Sequence, residues 1–332
     1  MGNYLVTGCA GFIASQVAEK LLRKGHRVVG WDNRNDAYDV ILKEWRLEQL
    51  KKWPRFHFSP VDVVEREKVE REFQETGPFE AVIHLAARAG VRYSVENPWT
   101  YVDTNVTGTL NLLECCRRAT VRKFLLASSS SVYGKVLSNT QAVAFREEED
   151  TNRPSSPYAA SKKAAEVLAH SYHHLYGLDT TILRFFTVYG PAGRPDMSVL
   201  RFVHAMAEEK PMILYGDGSQ SRDFTYVTDI ADGVLASLRA TGYSIFNLGG
   251  DHPRTIREMI RIVSEKLGKK PHIEYRPSHP ADVPSTWADI ERARTQLGWA
   301  PAVSLEEGLE KTIQWYQENR EWARNLKTLH EA

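Results

Sequence analysis

NYLVTGCAGFIA, Asn3–Ala14, decides the fold. The apolar run Tyr4–Val6 passes directly into TGCAGFIA, where Gly8, Gly11 and Ala14 keep a G-x-x-G-x-x-A spacing before the amphipathic stretch Gly11–Lys24. Each position has a steric duty. Gly8 permits a tight turn, Gly11 lets the backbone approach a pyrophosphate at the positive end of a helix opened by Phe12 and Ile13, and Ala14 lets that helix lie close to the strand. A glycine pattern alone is weak; its position between a strand and a helix gives it meaning.

Outward from this turn, Arg27–Gly30, Phe56–Phe58, Ala81–His84, Lys123–Ala127 and Thr180–Leu183 read as further strands. Helical stretches near Ala37–Lys51, Glu65–Gln74, Trp99–Arg118 and Tyr158–Tyr176 alternate with them. Such alternation predicts an α/β chain with a Rossmann-type, doubly wound parallel sheet covered on both faces. After Leu183, prolines, glycines and short mixed elements predict a smaller α/β substrate domain. The expected division is a nucleotide-binding domain over 1–183, rejoined by about 225–250 through the strand-like Ser244–Leu248, and a second domain over 184–224 and 251–332.

Composition bounds the function. The 332 residues carry 43 basic and 42 acidic side chains, a net charge of +1, with no long single-sign run. That balance points to neither nucleic acid nor membrane as a partner, and leaves an anionic ligand to local cations. No apolar run reaches the roughly 20 residues of a membrane span. Cys9, Cys115 and Cys116 have no metal-ligand spacing and suit reduced thiols in the cytoplasm. His173 and His174 lack a third ligand at a recognisable spacing, so no metal is expected.

At the nucleotide end, VVGWDN closes the second strand on Asp32 and Asn33. A carboxylate there accepts hydrogen bonds from ribose hydroxyls and repels a 2′-phosphate, which selects NAD over NADP, with Arg34 the one neighbour able to turn toward a phosphate. Asp62 and Val63 follow the third strand, where an adenine would lie. HLAARAG, His84–Gly90, follows the fourth and sets the small residues Leu85, Ala86 and Ala87 where a cofactor crosses the sheet edge.

At the other end, Tyr158 and Lys162 stand four apart in YAASK, on one face of a predicted helix. A phenol with a pKa near 10 is a poor base at neutral pH, and an adjacent ammonium together with a cationic nicotinamide favours the phenolate. Upstream, ASSSSVYG at Ala127–Gly134 sets four hydroxyls after a strand.

In this order TGCAGFIA, Asp32, HLAARAG, SSSSVYG and YAASK resemble the extended short-chain dehydrogenase/reductases, the sugar-nucleotide epimerases and dehydratases. The resemblance implies that Ser129 hydrogen-bonds the substrate oxygen, that Tyr158 is the general base and acid, and that Lys162 holds the tyrosine and the nicotinamide ribose. Members that dehydrate carry Thr-Asp-Glu before the same Val-Tyr-Gly, and those that decarboxylate a uronate show a glutamate at the position of Ser131. Ser130 and Ser131 supply no such proton shuttle, so a redox-neutral epimerisation is implied.

LRFFTVYGPAGRPDM (Leu183–Met197), AGVRYSVENP (Ala89–Pro98) and QSRDFTYV (Gln220–Val227) look most like the UDP-glucuronate 4-epimerases. That resemblance implies a UDP-sugar substrate, UDP-glucuronate or UDP-galacturonate. Arg222 pairs with its phosphates and Thr187 and Arg194 reach the sugar carboxylate, with Ser130 and Ser131 beside it. Arg92 is a further candidate anion contact. In HPADVPSTWAD, His279 and Ala281 depart from the relatives' pattern while Asp282 keeps it as a substrate contact. The resemblance also implies a homodimer built on the helices at Trp99–Arg118 and Tyr158–Tyr176. Two other readings stay open: a UDP-glucose or UDP-N-acetylglucosamine 4-epimerase, and a non-catalytic NAD-binding regulator.

Overall fold

The computed structural model describes residues 1–134, 143–278 and 283–328. Its first half alternates strand and helix: β1 Asn3–Thr7, α1 Phe12–Arg23, β2 Arg27–Trp31, α2 Val40–Lys51, β3 Phe56–Ser59, α3 Arg66–Thr76 and β4 Ala81–His84. There follow α4 Val91–Glu96, α5 Pro98–Val102, α6 Gly108–Arg118, β5 Lys123–Ser129, α7 Pro157–Tyr176 and β6 Asp179–Phe185. The later elements are β7 Thr187–Tyr189, α8 Ser198–Ala207, β8 Met212–Tyr215, β9 Ser221–Tyr226, α9 Val227–Ala236 and β10 Tyr243–Leu248. β11 Pro253–Thr255, α10 Ile256–Leu267, β12 Ile273–Arg276 and α11 Leu305–Glu318 complete the framework.

Among the described residues, seven strands form one sheet in the order β10-β6-β5-β4-β1-β2-β3, every neighbouring pair parallel. All seven residues of β5, KFLLASS, are buried, as a central strand covered by helices on both faces demands. The order reverses between β1 and β4, so the loops after these two strands open a crevice at their carboxyl ends, where α/β sheets bind ligands. β10 joins the sheet beside β6, pairing Phe246 with Leu183. Two smaller sheets, β11-β9-β7 and β12-β8, lie outside it.

Two hydrophobic clusters contain the sheet's residues, one around Val6, Ile83, Leu125 and Leu183 and the other around Leu5, Val82, Phe124 and Ile182. Their alternation along each strand follows the two-residue period of the pleat. A third cluster is built from α8, α10 and α11, and α2 reaches into it with Leu42 and Trp45, whose ring meets Trp315 edge-on at 5.6 Å. The first segment of the chain thus packs into the core of the last.

The single helix predicted over Trp99–Arg118 is present without a break, running through α5, a π-turn at Asp103–Thr107 and α6 in direct succession. The extra residue turns Asn105 inward, where its amide clasps both backbone groups of Arg88, N at 2.9 Å and O at 3.0 Å. Such bulges recur where a side chain must be re-aimed. Among the described residues no helix is long and apolar enough to cross a membrane.

Candidate active site

At the nucleotide end the backbone does most of the building. Gly8 has φ +72°, and a Cβ there would come within 2.8 Å of the Ala86 backbone on the β4 loop. Its N–H donates to Trp31 O at 2.7 Å and its carbonyl accepts Gly11 N at 2.7 Å, which folds the turn onto the start of α1. Gly11 is the N-cap of α1 and brings no side-chain cap, so no side-chain oxygen of its own occupies the first-turn amides, the kind of helix start that suits an anion. Asp32 accepts Ala10 N at 3.1 Å and Arg34 N at 2.7 Å. Burial raises its pKa, and Lys43 leads the groups that oppose this.

Asn33 donates to Asp62 Oδ2 at 2.7 Å, and Asp62 Oδ1 accepts Val64 N, so the loops after β2 and β3 are tied together. Val63 is buried against Gly108, Leu85 packs on the sheet core, and Ala86 N donates to Thr7 Oγ1 at 3.1 Å, with Ala87 next in the same loop. Arg34 lies over the Phe58 ring at 5.9 Å. The cradle fits NAD: glycines where a side chain would collide, helix amides for the pyrophosphate and a carboxylate at the ribose position.

At the chemical end α7 packs across the end of β5 and brings Ser129, Tyr158 and Lys162 together. The Tyr158 phenol is buried, close enough to the Ser129 hydroxyl to feel it, and meets the Tyr101 ring edge-on at 6.0 Å. Burial raises the Tyr158 pKa, and the Ser129 hydroxyl and the Arg194 charge pull it back. The lowering expected from Lys162 is not found, since that ammonium is not among the groups acting on the phenol, and desolvation prevails in the protein alone. Lys162 donates from Nζ to Ala127 O at 2.9 Å, and burial lowers its pKa to about 8. Ser130 opens the short turn after β5, and Ser131 N donates to Ser129 Oγ at 3.2 Å, so the serine run forms its own cap.

Arg194 is drawn to this group from the other side. Asp196 holds its Nε at 3.0 Å and Nη2 at 2.6 Å, and Nη2 also reaches Ala89 O. The Tyr38 ring stacks on the same guanidinium at 5.5 Å. Thr187 stands on β7 and pairs with Phe224 of β9, so Arg222 lies two residues upstream in the same small sheet, its Nη1 donating to Ser221 O at 2.7 Å. Arg92 lies over the Tyr215 ring at 3.8 Å, close enough to Arg201 to lower that group's pKa, although burial is the larger cause. Asp282, with His279 and Ala281, lies outside the described residues.

Several groups that the sequence did not single out belong to the same assembly. Thr109 gives its proton to Asn105 O at 2.6 Å and so must accept from His84 Nε2. His84 Nδ1 therefore accepts from Thr7 Oγ1 at 2.7 Å, while Thr7 Oγ1 accepts Ala86 N. One tautomer is fixed, and burial, helped by Lys162, holds the imidazole neutral with a pKa of about 3. Asn105 continues the chain to Ser161 Oγ at 2.9 Å, and Ser161 donates to Tyr158 O. A continuous set of hydrogen bonds thus runs from the glycine loop to α7. Lys43, pinned on Asn35, and Arg46, clasping Ala10, Ala192 and Gly193 carbonyls, are likewise missed; they sit on an α2 face that looks amphipathic and nothing more.

A profile of the family described as "GDP-mannose 4,6 dehydratase" matches residues 5–312. The chain belongs to this family, among the extended short-chain dehydrogenase/reductase epimerases. It is 53% identical to the UDP-glucuronate 4-epimerase of Thermodesulfobacterium geofontis over 98% of its own length and 100% of that protein's. It is similar to the crystal structure of UDP-glucuronic acid 4-epimerase from Bacillus cereus in complex with UDP-glucuronic acid and NAD. The TM-score is 0.89 at 36% identity, over 96% of this chain and 99% of that one. The UDP-glucose 4-epimerase of Thermotoga maritima with UDP-glucose gives a TM-score of 0.88 at 33% identity, covering 96% and 99%.

Proposed function

We propose that the protein is an NAD-dependent UDP-glucuronate 4-epimerase, interconverting UDP-glucuronate and UDP-galacturonate through a transient 4-keto sugar. The observation that carries the choice of a uronate is Arg194, a half-buried guanidinium within electrostatic reach of the Tyr158 phenol. A cation in a dry site beside the reacting oxygen suits a sugar that brings its own negative charge.

Gly8, Gly11, Phe12 and Ile13 hold the pyrophosphate of NAD, Asp32 and Asn33 the adenosine ribose, Asp62 and Val63 the adenine side. Leu85, Ala86 and Ala87 line the path toward the nicotinamide, and Lys162 faces its ribose. NAD held there would supply the acceptor, and then the donor, of the hydride at C4. Tyr158 takes the proton of the 4-hydroxyl and gives it back after the ketone has turned over, while Ser129 steadies the changing oxygen, a contribution that grows as charge develops. The tyrosine reaches the phenolate when a third cation joins Arg194 and Lys162 around it, since burial alone favours the phenol.

A 4-keto uronate is a β-keto acid and loses carbon dioxide when its carboxylate aligns with the carbonyl π system. Ser130, Ser131 and Thr187 hold the carboxylate out of that alignment without offering an ionisable proton. An arginine fork has two edges; Asp196 takes the Nε–Nη2 edge, and the sugar carboxylate takes the other. Arg222 and Arg92 serve the diphosphate side. The division into a nucleotide domain, 1–183 with 225–250, and a substrate domain follows the same cleft.

A homodimer is supported by exposed apolar residues on the helices named from the sequence: Trp99, 77% exposed, with Val102 and Leu110, and Val167, Leu175 and Tyr176 along α7. Three free, buried cysteines accord with a cytoplasmic enzyme.

Proton NMR of UDP-glucuronate with purified enzyme and no added cofactor tests the proposal: the galacturonate anomeric and H4 signals grow in, with no deuterium uptake at C4 from D₂O. Faster turnover of UDP-glucose than of UDP-glucuronate favours the neutral-sugar reading. Ser131→Glu tests the carboxylate argument, the expected result being UDP-pentose and carbon dioxide where the parent enzyme yields none.

A further inference from the structure

Beneath the serine turn lies a polar cluster for which the reaction has found no use. Glu166 and Arg184 have side chains only 2% exposed. They meet as a fork on a fork, Nε to Oε1 at 3.0 Å and Nη2 to Oε2 at 2.9 Å. Ser128 donates to the same Oε1 at 2.6 Å. Arg184 Nη1 continues to Tyr133 OH at 3.0 Å and Glu147 O at 3.2 Å, and Tyr133 donates to Asn247 Oδ1 at 2.6 Å. Asn247 N in turn donates to Glu147 Oε1 at 2.8 Å. The Tyr133 ring lies under the guanidinium at 4.9 Å.

This cluster joins β5, the turn after it, α7, β6 and β10, and its members alternate with the residues of the reaction. Ser128 precedes Ser129, Tyr133 ends the turn that holds Ser130 and Ser131, and Glu166 stands one helical turn beyond Lys162. Stability is a poor reason for it, because a buried ion pair recovers little more than its desolvation cost and apolar replacements are often neutral or better. Geometry is a better one, since a fork pair tolerates little displacement in either partner. We propose that Glu166, held by Arg184 and Ser128, is a positioning residue that sets the spacing between Ser129 on β5 and the Tyr158–Lys162 pair on α7. Among the described residues a second side-chain hydrogen bond between α7 and the end of β5 is drawn from the reaction itself, Lys162 on Ala127 O. The same carboxylate is the negative charge that supports the Lys162 ammonium against burial.

The proposal rests on epimerisation as the reaction but not on the uronate, so the assay uses whichever UDP-hexose the parent enzyme epimerises fastest. A parent enzyme that turns over no UDP-hexose overturns both readings; an active one isolates the positioning claim. Ser128→Ala removes one bond and leaves the ion pair intact; Ser128→Thr keeps the hydroxyl. Misplacement of a reacting group by about 1 Å costs roughly 10²-fold in rate, and loss of one of the cluster's ties is expected to cost about tenfold in kcat. The expected result is that fall in kcat for Ser128→Ala with KM within about twofold, NAD retained, and recovery in Ser128→Thr. Glu166→Gln, where it folds, is expected to lose about 10²-fold in kcat with NAD still bound. Unchanged kcat in Ser128→Ala, or a loss that Ser128→Thr fails to restore, overturns the proposal whether or not Glu166→Gln folds. A fall in kcat matched by loss of NAD or of thermal stability assigns the cluster to structure alone and overturns it equally.

Discussion

Two ends of one cleft are built here by different means. At the nucleotide end, Gly8 and Gly11 fold a turn with backbone bonds, and the side chains matter mostly by being small. At the chemical end, Ser129, Tyr158 and Lys162 come from a strand and a helix and depend on paired charge around them: the half-buried Arg194 with Asp196, the buried Glu166 with Arg184. The first end is tolerant of side-chain chemistry and intolerant of volume; the second is the reverse. A pyrophosphate can be held by amides that every residue carries, whereas proton transfer needs particular functional groups at particular distances.

The largest effect that sharpens this contrast is expected from Tyr158→Phe. It removes one oxygen at the chemical end, and kcat is expected to fall about 10³-fold. NAD released on denaturation of the purified variant should equal that of the parent enzyme. An active variant, or one that has lost its NAD, breaks the separation of the two ends.

Next comes volume at the nucleotide end. Gly8→Ala adds a single methyl at φ +72°, 2.8 Å from the Ala86 backbone, whereas Gly25→Ala at φ +80° meets nothing within 4 Å. Strain and collision together are expected to cost about 3 kcal/mol or more and the bound NAD at Gly8. Strain alone costs about 1 kcal/mol at Gly25. Urea unfolding of the two variants checks the pair, and equal losses would remove the case for a close loop-to-loop approach.

The smallest effect separates a charge used by the site from one that is merely buried. Lys123 begins β5, donates to Thr181 Oγ1 at 2.7 Å and to the Ala240 carbonyl, and has its pKa lowered by burial to about 8, the same value as Lys162 at the far end of the sheet. Its folded pKa lies below the unfolded one. Between about pH 8 and 10.5 the native state therefore binds fewer protons, and stability from this group rises with pH. The stability difference between Lys123→Met and the parent should move by about 1 kcal/mol in the parent's favour from pH 7 to pH 9, read from paired thermal melts. The epimerase rate should not follow it.

The strands, the glycine turn and Tyr158 with Lys162 were legible because each is a local pattern. Apolar runs of three to five residues read as strands, and β10 was visible as Ser244–Leu248 despite its return from a distant part of the chain. The helix over Trp99–Arg118 was legible as one continuous element, whereas the π-turn inside it, where Asn105 reaches Arg88, carries no local signal. Glu166 stood in plain sight four residues after Lys162, yet its meaning depends on Arg184. Asp196 lay inside a quoted motif, and only the fold made it the partner of Arg194.

The sequence by itself determined the phosphate turn, the acidic end of β2 and the tyrosine–lysine face, because neighbours within one turn or one strand are positioned by backbone geometry alone. Tertiary structure decided everything whose partners are far apart along the chain: Lys162 on Ala127, 35 residues away, Asn105 on Ser161, 56 away, and Thr7 on His84, 77 away. Sheet order and helix packing bring these atoms within 3 Å, and burial then sets the charge each one carries.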